Sequence, residues 1–230
     1  MSVRHGVDEY LETIYFLALP IGEYRPHGAE AIVRSARVAE ILGISRASSG
    51  EMLKRLEEDG LIKRGEAKEV TLTAEGRVAA ERAVRRHRII ECFLTDFMGY
   101  SPAETHEQAE LIGPSLTEDM IERIAERLGH PDRCPHGWPI EPEVEQRENA
   151  ELVALSQMAP GERGVITRIA EQDDVILGWC YEHDLTPGVE VEVDEIVAAA
   201  GMLTLRIGDE ECSVSIKVAD GLYVRPLVPA

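Results

Sequence analysis

Apolar positions from 8 to 19 fall at Tyr10, Leu11, Ile14, Tyr15 and Leu17–Leu19, a helical spacing that Pro20 and Gly22 end. A connector over 20–33 holds two prolines and two glycines. From Ser35 the pattern becomes two short amphipathic helices. Val38, Ala39, Ile41 and Leu42 form the first apolar face, and Met52, Leu53 and Leu56 form the second. Gly43 marks a tight turn between them, Ser45 caps the second helix, and Gly60 ends it. The segments Leu61–Lys63 and Val70–Leu72 read as two short strands turning at Gly65. Thr73 to Gly76 then cap a long helix over 74–98, with Ala79, Ala83, Ile90, Phe93, Leu94 and Phe97 on its apolar side. Gly99 to Pro102 break it, and helices over 103–113 and 116–128 follow, separated by Pro114.

The pattern changes beyond residue 150. Gly164–Ile169, Glu190–Val197, Met202–Ile207 and Glu211–Ile216 are rich in β-branched residues, with glycines between them, as short strands of a small SH3-like β-barrel. The stretch 129–150 is proline-rich, then acidic, and reads as a connector. The expected fold is mainly α with small β. A winged helix-turn-helix domain covers 1–73, a helical metal-binding and dimerisation domain 74–140, a linker 141–150 and the barrel 151–230. The many apolar helix positions of the middle domain suit a homodimer.

A helix-turn-helix implies DNA, yet the net charge of −19 opposes phosphate. Its distribution resolves the conflict. Residues 34–88 carry 13 basic and 9 acidic side chains, net +4, whereas the rest of the chain is net −23. The basic segment coincides with the helix-turn-helix, a local DNA footprint on an acidic body; a solvated basic face is the competing explanation. No apolar run is long enough for a membrane span, and the N-terminus lacks a secretory pattern. Four scattered cysteines without CxxC pairing suit a reducing cytoplasm.

Three pairs of metal-ligand residues stand at helical spacing: Glu9 with Glu12, His87 with Glu91, and His106 with Glu110. Imidazoles and carboxylates suit Fe(II) or Mn(II); solvated or core-satisfied pairs are the bland alternative. His106 to Glu110 departs from the HExxH zinc-protease helix in its last ligand, so the chelate is incomplete. With no phosphate loop or nucleophile motif, the chain reads as no enzyme. Cys134-Pro135-His136 reads as a rigid turn before it reads as a metal site.

Six motifs in order, among them Asp8 to Tyr15, Met52 to Leu61, Leu72 to Gly76, Arg86 to Glu91, Thr105 to Glu110 and Cys134 to Gly137, make nearly the whole chain resemble the diphtheria-toxin-repressor family of metal-dependent transcriptional regulators. The resemblance implies an Fe(II)- or Mn(II)-activated homodimeric repressor of a palindromic double-stranded DNA operator. It implies an ancillary metal site at His87, Glu91 and His106, completed from the C-terminal domain by Asp173 or Gln172. It implies a primary site at Glu9, Glu12 and Glu110, but the remaining two family ligand positions are Gly113 and Pro114, which cannot bind metal. Three alternatives follow: one ion at the ancillary-type site, substitutes such as His5, Cys92 or Cys134, or a regulator with altered or lost metal control. A metal-handling or hydrolytic protein is the reading from another class. By register, Ser45, Ala47, Ser48 and Ser49 open the recognition helix and Glu51 takes the base-reading position. Arg37, Arg46, Lys54, Arg55 and Lys68 would touch phosphate, with Lys63 and Arg64 also on the wing.

Overall fold

A computed structural model of the chain describes residues 6–19, 21–23, 32–171 and 173–227. Helix α1 (Val7–Ala18) buries every residue from Tyr10 to Leu17. Helices α2 (Ser35–Ile41) and α3 (Arg46–Glu58) meet across the turn at Gly43, whose φ is +61°. The Ser45 Oγ accepts from Ser48 N at 3.1 Å, the expected cap of α3. Strands β1 (Ile62–Arg64) and β2 (Val70–Leu72) form an antiparallel hairpin. Residues before α2 join its edge, with Val70 N donating to Val33 O. One hydrophobic core holds α1, α2, α3 and this hairpin together.

Helix α4 (Ala74–Asp96), capped by Thr73, serves two cores. Ala80 and Val84 belong to the first core, whereas Ile89, Ile90 and Leu94 belong to a second. The second also holds residues of α5 (Pro102–Ile112) and α6 (Glu118–Arg127). Gly113 ends α5 and Pro114 lies in a 3-10 turn, as a residue without a backbone N–H favours.

The 141–150 stretch, expected as a linker, contains helix α7 (Pro142–Glu148). Pro142 opens it, and Glu145 is completely buried because Arg88 of α4 pairs with it at 2.9 Å. The C-terminal unit comprises β3 (Val153–Ala154), β4 (Arg163–Ile169), α8 (Asp174–Glu182), β5 (Glu190–Val197), β6 (Met202–Ile207), β7 (Glu210–Ser215), α9 (Ile216–Ala219) and β8 (Leu222–Pro226). Its six strands run β3-β8-β4-β5-β6-β7, all neighbours antiparallel. No pairing joins β7 back to β3 among the described residues, so the sheet is not a closed barrel. The fold is therefore mixed α/β, with more sheet than the expected mainly-α class. No described helix is long and apolar enough to cross a membrane.

The units are stitched, not tethered. Leu152, Ala154 and Tyr223 complete the second core, and Gly178 of α8 would place a Cβ 3.9 Å from Ala103 of α5. Gly137 has φ +83°, and a Cβ there would meet Thr167 O at 2.0 Å. We expect Gly137→Ala to destabilise by at least about 2 kcal/mol, through left-handed strain and a backbone collision. Urea denaturation checks this, and a loss below about 0.5 kcal/mol would refute the packing argument.

Candidate metal centre and nucleic-acid interface

Helix geometry sets His87 and Glu91 one turn apart on α4, with Glu91 Oε1 3.3 Å from His87 Nε2. Neighbouring α5 brings His106 to the same carboxylate, 3.7 Å from Oε1 through Nδ1. The turn 134–138 adds a third imidazole, with His136 Nδ1 3.3 Å from Oε1. Ligand atoms of His87, Glu91 and His106 lie within 4.8 Å of one another, as do those of Glu91, Cys134 and His136. Glu91 is 3% exposed and shared by both groups.

The electrostatics follow from this packing. Burial pushes the Glu91 carboxyl upward, but the charge of His136 and hydrogen bonds from His106, His136 and His87 hold it well below its ordinary value. Burial pulls the imidazoles down, yet bonds and charges from Glu91, with Glu110 at His106, raise His87, His136 and, most strongly, His106. Burial also raises Cys134 well above the ordinary thiol range. His136 donates Nε2–H to Pro102 O at 3.0 Å, which turns Nδ1 towards Glu91. A metal-binding histidine is commonly fixed in this way. Imidazole nitrogens, carboxylate oxygens and one thiol in a closed space are a donor set that fits a divalent first-row cation.

His136 was missed in the sequence because the Cys134–Gly137 motif reads as a turn, and a two-residue spacing in a loop predicts no shared face. The turn is nonetheless fixed to β4: Ile169 N donates to His136 O and Trp138 Nε1 to Ile169 O. Cys92 stands apart, its Sγ donating to Arg133 O at 3.3 Å. His5 and Gln172 lie outside the described residues. Asp173 is the N-cap of α8, its Oδ1 accepting from Val175 N and Ile176 N. Glu171 and Asp174 beside it, not Asp173, line a small cavity with His106 and His136.

Glu9, Glu12 and Glu110 line a separate cavity of about 30 Å³ with His87, Gly113 and Pro114. Glu12 is buried, 3.9 Å from His87, and desolvation raises its carboxyl to about 7. Glu9 Oε2 accepts from Gly6 N at 3.0 Å, and Glu110 lies 3.5 Å from His106. On the cavity rim Arg86 forms an ion pair with Asp8 of α1.

On α3, Arg46, Ala47, Ser48, Glu51, Lys54 and Arg55 are exposed, opposite the buried stripe Ser49, Leu53 and Leu56. Ser49 corrects the expected contact set: at 1% exposure it faces the core, since position 49 shares a helix side with 53 and 56. Several basic groups already have intramolecular partners, Arg37 with Glu40, Lys54 with Glu58, Arg55 with Asp59 and Arg64 with Glu57. Such surface pairs are weak enough for phosphate to displace the carboxylate. Ser35, Arg46, Gly50, Glu57, Arg64 and Lys68 line a groove of about 500 Å³ between α3 and the hairpin. Lys68 turns the hairpin with φ +64°, and Lys63 is exposed on β1.

Three family descriptions tile the chain. Residues 4–70 match the iron dependent repressor N-terminal DNA binding domain, 73–142 the iron dependent repressor metal binding and dimerisation domain, and 153–226 the FeoA domain. The iron-dependent repressor IdeR of Mycobacterium leprae is 27% identical over 227 residues, 94% of each chain. The diphtheria toxin repressor of Corynebacterium efficiens is 33% identical over 132 residues, 57% of this chain and 53% of that one. A solved manganese-dependent transcriptional repressor in complex with manganese superposes with a TM-score of 0.85 at 28% identity, covering 96% of this chain and 100% of the other.

Proposed function

The chain belongs to the iron-dependent repressor family, and from that premise we propose that it is a cytoplasmic transcriptional repressor of metal-homeostasis genes, binding a palindromic double-stranded operator as a homodimer when Fe(II) or Mn(II) occupies the Glu91-centred site. The observation that carries this reading is a buried carboxylate facing three imidazoles and a thiol. His87, Glu91, His106, Cys134 and His136 would hold the ion, with Glu171 or Asp174 contributed by the C-terminal unit. When bound, the cation supplies the positive charge that joins these groups. In this reading residues 1–73 are a winged helix-turn-helix, with the β1–β2 hairpin as wing. Residues 74–140 bind metal and dimerise, and 151–230 are an SH3-like variant of the FeoA fold. Glu12 of α1 lies beside His87, so occupancy bears directly on the first helix of the DNA-binding unit.

Recognition would fall to the outward stripe of α3. Arg46, Lys54, Arg55 and Lys68 set position on phosphate, and Glu51 accepts from a base amino group such as cytosine N4. A second reading, DNA binding without metal control, draws on the Asp8–Arg86 pair, which docks α1 on α4 without a cation. Binding to a selected oligonucleotide pool with Mn(II), with anaerobic Fe(II) and with chelator separates the two. We expect retention of DNA only with metal. Equal retention with chelator would overturn the metal-dependent reading in favour of the second.

A further inference from the structure

Beside the ligand cluster lies a cavity of about 20 Å³ whose lining includes Glu23, His106, His136, Trp138, Glu171 and Asp174. His106, His136, Glu171 and Asp174 belong to the middle and C-terminal units. Glu23 comes from the chain that leaves α1, on the N-terminal side of the molecule. Its carboxylate is gripped at one oxygen. The buried Arg88 donates Nε and Nη2 to Glu23 Oε1 at 3.2 and 2.7 Å. Among the described residues Oε2 takes no hydrogen bond from the cavity walls or elsewhere. The same guanidinium lies 5.6 Å from the ring centroid of Phe16 in α1 and 5.5 Å from that of Trp138 in the cavity wall.

We propose that Glu23 is a further metal ligand, its Oε2 completing the site from the DNA-binding side of the chain. This rests on the metal reading of the Glu91 cluster. A carboxylate held at one oxygen by a buried cation is pre-oriented, so its second oxygen binds with little ordering cost. Hard divalent cations favour carboxylate oxygens beside imidazole nitrogens, and Glu23 adds one negative charge to a wall that already holds Glu171 and Asp174. Loading the site would then draw on the chain immediately after α1. Through Glu23, Arg88 and Phe16, the ion becomes physically continuous with the first core.

The test is Mn(II) titration of the full chain, in a Trp179→Phe background so that Trp138 is the remaining indole. Calorimetry and paramagnetic quenching of Trp138 emission are read for the parent and for Glu23→Gln, which keeps an acceptor for Arg88 but removes the charge. Should Glu23→Gln fail to fold, Glu23→Met, which removes the charge at similar volume and leaves Arg88 paired with Glu145, is compared with the parent in its place. The expected result is a ten- to hundred-fold loss of Mn(II) affinity, on the order of the loss of a ligand or its support. A merely structural role would lower the melting temperature of the metal-free protein and leave the affinity within two-fold of its reference, which overturns the proposal. If the parent itself neither takes up Mn(II) nor quenches, the metal reading fails, and this inference fails with it.

Discussion

Glu91→Ala is expected to abolish the metal-induced gain in DNA affinity, lowering it from about a hundred-fold or more to none, while leaving the weak metal-free binding in place. Allosteric coupling of that size corresponds to about 3 kcal/mol. The reason is the position of Glu91 at the centre of both ligand groups, so its removal breaks both at once. His87→Ala, by contrast, leaves the Glu91, Cys134 and His136 group intact and should weaken the response without erasing it. Gel shifts with and without Mn(II) separate these outcomes, and a Glu91→Ala protein that still tightens on DNA with metal would refute the assignment. The metal-free protein gives a second readout. Glu91, depressed below its ordinary 4.5, contributes stability above that pH and loses it as pH falls through the depressed value. The histidines, raised above 6.5, contribute stability below that pH and lose it as pH rises through their raised values. The cluster therefore stabilises the metal-free parent most between about 4.5 and 6.5, and melting temperature should fall on the alkaline side. Metal affinity should rise over that same alkaline range, because the imidazoles must shed their protons to bind.

Periodicity made the scaffold legible. The β5 and β6 spans and the β2 strand match the expected ranges, and the long helix differs only at its C-terminal end. His87 and Glu91 were legible for the same reason, since four residues on a helix is one turn. What periodicity cannot reach is a partner brought in by tertiary packing. His136 meets Glu91 only because Gly137 takes a left-handed conformation against β4. The acidic 141–150 stretch read as solvated linker because the pattern does not reveal that Arg88 and Arg168 wait inside for Glu145 and Glu148. Helix α8 escaped notice because its apolar run is short and is interrupted by Gly178. Asp173 was one residue from the cavity-lining Asp174, and its carboxylate was already committed to capping.

The largest loss of stability should come from Arg88→Ala. Arg88 is 1% exposed and holds three parts of the chain: Glu23 after α1, Pro139 O in the connector at 2.7 Å, and Glu145 of α7 at 2.9 Å. Burial lowers the guanidinium's pKa, but Glu145 and Glu23 more than offset this and keep it charged. Trp138 is flanked by two guanidinium groups, with Arg88 5.5 Å and Arg168 5.0 Å from its ring centroid. Truncating Arg88 leaves the Glu145 carboxylate buried with no charge partner on α4, and breaking a buried pair in this way costs about 3–5 kcal/mol. Arg88→Met/Glu145→Gln removes both charges while roughly keeping volume, so it should recover much of that loss. Urea denaturation of the full chain gives both values. A cost below about 1 kcal/mol for Arg88→Ala, or a double variant no better than the single, would show that packing around Trp138, and not this ion pair, joins the helical and sheet units.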